Sequence, residues 1–244
     1  MKEYENYIFD LYGTLVDIHT DEWKTSFWKK VSQIFLVHGA EYDPLKLKEN
    51  YFSLTEEFEK KKKKKGHHIE IDLMEVFKEL YRLKGVTADE KMLRDTMEGF
   101  RKFSLTHLRL YAGTRELLKM LKRNNRGVYL LSNAQEVFTM KELKDLGIAD
   151  DFDDIFISSL VGYKKPDPCF FKTLIEARHL DVRECLMIGN DLYCDIKGAM
   201  DVSMDACYIH SKLSPKERYD VKPTYLQEGM DLKALKRKIE RSFR

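Results

Sequence analysis

Ile8-Phe9-Asp10-Leu11-Tyr12-Gly13-Thr14-Leu15 is an apolar run that meets an aspartate and turns at a glycine. Consecutive apolar residues without polar alternation describe a strand buried on both faces, as inside a parallel sheet. In an open parallel sheet ligands bind beyond the carboxyl ends of the strands, so Asp10 is delivered to a site. The same grammar recurs downstream. Short apolar runs at 128–131, 155–157, 186–188 and 206–209 are flanked by glycine, asparagine, aspartate or serine and, with 7–11, read as buried strands. Helical patterns at 114–124, 136–146, 169–177 and 195–204 fall between the later ones. Strand and helix alternating in this way predict an α/β fold, a doubly wound parallel sheet.

The alternation breaks over residues 18–107, which hold four helical patterns and no convincing strand. This stretch reads as an inserted helical domain, leaving 1–17 and 108–244 as the core. Its first helix carries Trp23, Phe27, Val31 and Ile34 at helical spacing, with Thr20 as the expected N-cap and Asp21 and Glu22 in the first turn. Further helices are expected over 44–62, 69–84 and 88–106. The run Lys60 to Lys65 suits a solvated helix C-terminus, where the dipole favours cations. His67 and His68 follow it; being adjacent, they lack the i,i+4 spacing of a helical metal pair and read as surface residues.

Composition narrows the function classes. The chain has 244 residues, 43% of them hydrophobic, enough for a sizeable core. Charged residues make up 34% yet nearly cancel to +2, so no overall field recruits nucleic acid or an anionic membrane. Cys169, Cys185, Cys194 and Cys207 form no CxxC pair, which fits neither a zinc module nor a disulfide framework and suggests reduced thiols. Neither a signal-peptide h-region nor a membrane span is visible, so the expected compartment is cytoplasmic. Oligomeric state is not legible.

Three later segments carry polar groups to strand ends. Leu131-Ser132-Asn133 offers a hydroxyl and backbone N–H groups suited to phosphate oxygens. Gly162-Tyr163-Lys164-Lys165-Pro166-Asp167-Pro168 is a proline-stiffened loop that presents lysine before a helix. Ile188-Gly189-Asn190-Asp191, with Asp195 beyond it, supplies the hard oxygen ligands that magnesium uses.

In this order, the four segments resemble the four motifs of the haloacid-dehalogenase-like superfamily, and the insertion resembles its four-helix cap on a Rossmann-like core. The resemblance implies a hydrolase in which Asp10 is the covalent nucleophile and Lys165 steadies the charge. It also implies that Thr14, Ser132, Asn133 and Lys165 contact phosphate. Mg2+ would be held by Asp10, the Tyr12 carbonyl and Asp191, with Asn190 and Asp195 as ligands or as their supports. The implied substrate is a small phosphorylated metabolite. Elementary chemistry agrees: a carboxylate attacking phosphorus needs the repulsion between two anions relieved.

One position departs from the pattern. Phosphatases of this superfamily carry an acid-base aspartate two residues after the nucleophile, where this chain has Tyr12. A phenol of pKa about 10 donates a proton but is a poor base near neutrality. Tyrosine there resembles the metal-independent haloacid dehalogenases, an alternative reading; a phosphate-binding protein with little turnover is another. Against dehalogenation, Gly189-Asn190-Asp191 resembles the metal-binding loop, and no arginine precedes Arg82 in the insertion. If turnover needs a surrogate acid, His19, Asp17, Asp21 and Glu22 are the nearby groups, His19 having the best unperturbed pKa and the carboxylates requiring desolvation.

Overall fold

The computed structural model describes residues 1–217 and 219–243. The chain opens with β1 (Asn6–Phe9) and turns into β2 (Val16–Thr20). Four helices follow, α1 (Thr25–Val37), α2 (Pro44–Lys62), α3 (Leu73–Arg82) and α4 (Glu90–Ser104), before β3 (Leu105–Leu110) returns beside β2. Then come α5 (Thr114–Arg123), β4 (Gly127–Ser132), α6 (Glu136–Asp145), β5 (Asp154–Ile157), α7 (Ser158–Val161) and α8 (Pro168–Ala177). The chain closes with β6 (Cys185–Gly189), a π-helical turn (Leu192–Lys197) running into α9 (Gly198–Asp201), β7 (Asp205–Ile209), β8 (Tyr225–Gln227) and α10 (Leu232–Glu240).

Six strands form one parallel sheet in the order β5-β4-β1-β6-β7-β8. The alternating side chains of each strand feed two cores. Tyr7, Phe9, Val128, Leu130, Leu186 and Ile188 pack with α5, α6 and α10, whereas Ile8, Tyr129, Leu131, Cys185 and Met187 pack with α8 and α9. Both faces are covered, which is why the strands read as continuous apolar runs. Strand order reverses at β1, where β4 lies on one side and β6 on the other, so the ligand crevice opens beyond Phe9 at Asp10.

The insertion differs from its expected form in two respects. It is entered and left through an antiparallel ribbon, β2 with β3, and both expected boundaries fall inside those strands. Val16, Ile18 and Thr20 alternate with Asp17 and His19, a strand pattern whose partner lies far along the chain and so has no local signature. Thr20 does not cap a helix. It pairs with Leu105, Asp21 N–H donates to the Ser104 carbonyl, and α1 starts only after Lys24. Trp23 leaves the expected stripe and is 73% exposed, stacked on Phe52, while Phe27, Trp28, Val31 and Phe35 form the buried face. The later helices begin where chemistry says they should: Asp43, Asp72 and Asp89 each accept from backbone N–H groups of the first turn.

These helices have their own aromatic core of Phe27, Trp28, Phe35, Tyr51, Phe77, Tyr81 and Phe100. Trp28 is fully buried and its Nε1 donates to the Glu22 carbonyl at 2.7 Å. Trp28→Ala removes both the packing and that bond, and is expected to cost about 3–5 kcal/mol in chemical denaturation. A loss below about 1 kcal/mol would show that this core does not stabilise the bundle.

Candidate active site

The carboxyl ends of β1, β4 and β6 meet around one buried ammonium group. Lys165 Nζ donates to Asp10 Oδ1 at 2.8 Å, to Asp195 Oδ1 at 2.7 Å and to the Leu131 carbonyl at 2.7 Å. Burial alone would pull its pKa down, but the charges of Asp10 and Asp195 outweigh that and hold Lys165 protonated. Asp195 is pushed up from the ordinary carboxylate range by burial first; the Asp10 charge adds to this and Lys165 opposes it.

Asp10 Oδ2 accepts from Thr14 Oγ1 at 3.0 Å, so both Asp10 carboxylate oxygens are oriented. Gly13 makes the turn between them: its φ is +88°, and a Cβ there would lie 2.3 Å from Asn190 Nδ2. Gly189 is needed for the same reason, because a Cβ would lie 2.3 Å from the Asp195 carboxylate. Asp191 Oδ1 accepts from the Tyr193 and Cys194 N–H groups at 2.8 and 2.9 Å, leaving Oδ2 without an N–H or O–H donor among the described residues. Asp195 Oδ2 is committed to the Asp191 N–H at 3.0 Å, so Asp195 holds the loop as well as the lysine.

A pocket of about 170 Å3 is lined by Asp10, Tyr12, Asn133, Lys165, Asn190, Asp191 and Asp195. The Cys194 thiol lines it too, but its oxygen groups, the Asp10 and Asp191 carboxylates and the Tyr12 carbonyl, are a set that fits a hard divalent cation. Ser132 Oγ is buried without a hydrogen-bond partner among the described residues, as expected of a hydroxyl kept for a ligand. The Asn133 side chain takes a different part from the expected phosphate contact. Its Oδ1 accepts the Lys165 N–H at 2.7 Å and its Nδ2 donates to the Lys165 carbonyl at 3.0 Å, clamping the loop that carries the lysine.

The Tyr12 side chain turns toward the insertion. Its hydroxyl donates to Glu142 Oε2 at 2.6 Å, and Arg101 of α4 donates to Glu142 Oε1 at 2.6 Å. Burial first, then the Glu142 charge, holds the phenol above its ordinary pKa. This network was not legible beforehand, although Glu142 on the buried Phe138, Thr139 and Leu143 face of α6 is the signal that points to it.

A second cleft of about 310 Å3 shares Tyr12 and Asn133 with the pocket at Asp10 and reaches Ile18, Thr20, Glu22, Tyr51 and Arg101. His19 alternates with Ile18 and Thr20, is exposed and stacks on His107, so it faces away from this cleft. Asp17 pairs with Arg109 and Asp21 with Lys24. Glu22 is the one member of that segment whose carboxyl is pushed up, mainly by burial, with Arg101 opposing.

A family profile for haloacid dehalogenase-like hydrolases matches residues 4–202, and the chain belongs to that family. It is 28% identical over 196 residues to the glyceraldehyde 3-phosphate phosphatase of Pyrococcus abyssi, covering 80% of this chain and 77% of that one. It is 25% identical over 233 residues to the HAD-hydrolase YfnB of Bacillus subtilis, covering 92% of each. The magnesium-bound structure of YfnB superposes with TM-score 0.57 at 23% identity, covering 98% of this chain and all of that one (100%). The L-2-haloacid dehalogenase PA0810 has the same fold, with TM-score 0.60 at 21% identity over 98% of this chain and 100% of its own. No helix among the described residues is long and apolar enough to cross a membrane.

Lys165→Met strands the buried Asp195 carboxylate beside Asp10 and is expected to cost about 3–5 kcal/mol of folding stability near neutral pH. A carboxyl whose folded pKa lies above its unfolded value binds more protons when folded, so stability rises as pH falls through the folded value. Denaturation of the variant is therefore expected to show partial recovery between about pH 8 and about pH 5. A pH-independent loss would mean that charge is not what Lys165 contributes.

Proposed function

We propose that this chain is a magnesium-dependent phosphatase of a small phosphorylated metabolite, acting through an aspartyl-phosphate on Asp10. The observation that carries the reading is the convergence of Asp10, Lys165 and Asp191 in one pocket, with Asp191 Oδ2 accepting no N–H or O–H among the described residues. Relatives named as phosphatases of a phosphorylated metabolite support the same reaction class.

Asp10 attacks phosphorus, the bond to the leaving oxygen breaks, and water then displaces phosphate from the acyl phosphate to restore the carboxylate. Lys165 offsets the negative charge that attacker and substrate bring together. Ser132 donates its unpaired hydroxyl to the transferred group, Thr14 donates its own to Asp10 Oδ2 and orients the attacker, and Asn133 keeps the lysine loop in place. A bound magnesium ion, held by Asp10, Asp191 and the Tyr12 carbonyl with Asn190 and Asp195 in support, supplies further charge neutralisation.

Tyr12 is committed to Glu142, so the proton for the leaving alkoxide comes from elsewhere in this reading. Glu22 fills that part: it lines the cleft adjoining the catalytic pocket, and burial favours its neutral form. The Arg101 guanidinium is neutralised by Glu142, which argues against its serving as a halide cradle.

Phosphomonoester hydrolysis is expected to vanish with chelator, return with magnesium, and be abolished by Asp10→Asn. Full activity on a short 2-haloacid in chelator would assign the chain to dehalogenation instead. Glu22→Gln is expected to slow alkyl phosphates about 10²-fold while leaving aryl phosphates, whose leaving groups need little protonation, within about threefold. Equal effects on the two substrate types would remove Glu22 as the acid.

A further inference from the structure

Away from the catalytic pocket, the seam between the helical insertion and the core holds a mixed group of metal-ligating side chains. His67 lies in the connection from α2 to α3, whereas Asp167 caps α8 and Cys169 lies in its first turn. His67 Nδ1 is 3.1 Å from Asp167 Oδ2 and 3.9 Å from Cys169 Sγ. All three ligand atoms lie within 4.8 Å of one another, and among the described residues no other such trio of His, Cys, Asp or Glu occurs. Tetrahedral coordination at bond lengths of about 2.0–2.3 Å separates nitrogen, oxygen and sulfur ligands by roughly 3.3–3.7 Å. The His67–Asp167 and His67–Cys169 separations bracket that range and the Asp167–Cys169 separation lies within 4.8 Å, so a cation fits with side-chain adjustments.

The electrostatics suit a cation as well. Asp167 is fully buried, and its carboxylate accepts the N–H groups of Cys169 at 2.9 Å and His68 at 2.7 Å. Oδ2 accepts the His68 N–H at 2.7 Å and keeps a second lone pair toward His67. Buried charges are found paired or bound to metal, and here the nearest partner is an imidazole that is neutral unless protonated. The His67 side chain is 28% exposed and Cys169 is partly exposed, so an ion can reach the group from solvent.

We propose that His67 Nδ1, Asp167 Oδ2 and Cys169 Sγ form a site for a borderline-soft divalent cation of the zinc class, with water in the fourth position. One nitrogen, one carboxylate oxygen and one sulfur select such an ion over magnesium, which takes oxygen ligands. Binding releases the Cys169 thiol proton to solvent and takes His67 as the neutral imidazole, so the step involves no oxidant or reductant. Asp167 and Cys169 follow Lys165 closely in sequence. An occupied site therefore ties the insertion to the loop that carries the catalytic lysine.

Cobalt is the probe, titrated into the full chain with excess magnesium present to fill the pocket at Asp10 and Asp191. The expected result is a thiolate-to-cobalt charge-transfer band that saturates at one ion per chain and is displaced by zinc. Cys169→Ser should abolish the band and His67→Ala should weaken zinc binding at least about tenfold. Cys194→Ser, which alters the thiol lining the catalytic pocket, should leave the band intact. Absence of a thiolate band, survival of the band in Cys169→Ser, unchanged zinc affinity in His67→Ala, or loss of the band in Cys194→Ser would each overturn the proposal. The readout is spectroscopic, so it stands or falls separately from phosphatase activity.

Discussion

A buried ammonium group organises this molecule. Lys165 is out of water, and a charge in that position persists only when its three donors meet acceptors of opposite or partial negative charge. Asp10, Asp195 and the Leu131 carbonyl supply them, one from beyond β1, one from the turn after β6 and one from β4. Those three elements must therefore end at a common level, and the register that places Phe9 beside Leu130 and Ile188 achieves this. Asn133 closes the arrangement by binding the lysine's own peptide N–H and carbonyl. A pairing of this kind contributes specificity of geometry more than net stability, since desolvation offsets much of the Coulomb gain.

Close packing around the charge explains the glycines. Gly13 lets the nucleophile loop pass against Asn190, and Gly189 lets β6 end against Asp195. The loop that follows Asp10 and the loop that carries Asn190, Asp191 and Asp195 are thereby held in contact, where larger residues would separate them. Asp191, with one oxygen fixed by the start of the π-helical turn and the other free, is the product of that approach.

Tyr12 ties the loop after Asp10 to the rest of the structure. The Tyr12 hydroxyl reaches the buried Glu142, which Arg101 of the insertion neutralises. The nucleophile loop, α6 and α4 are thus joined through a polar network whose members would be costly to bury alone. The cleft beside this network takes its walls from both the ribbon and the helices, and its one carboxyl favoured in the neutral form is Glu22.

Local sequence determined the parallel core, because strands buried on both faces must be apolar along their length and each ended in the polar residues that the sheet edge requires. The order of Asp10, Ser132, Lys165 and Asp191 along the chain was legible for the same reason, as was the helix start at Pro44 after Asp43. Tertiary structure alone decided the rest. The β2–β3 ribbon depends on pairing between segments separated by the whole insertion, so Thr20 became a strand residue in place of a helix cap. The Asn133 side chain clamps the Lys165 backbone, a partner that is near only in three dimensions. His19 and Glu22, close in sequence, were sent to opposite environments by strand alternation and by burial against the helices. Such outcomes are set by which neighbours a side chain meets, and a sequence specifies those neighbours only through the completed fold.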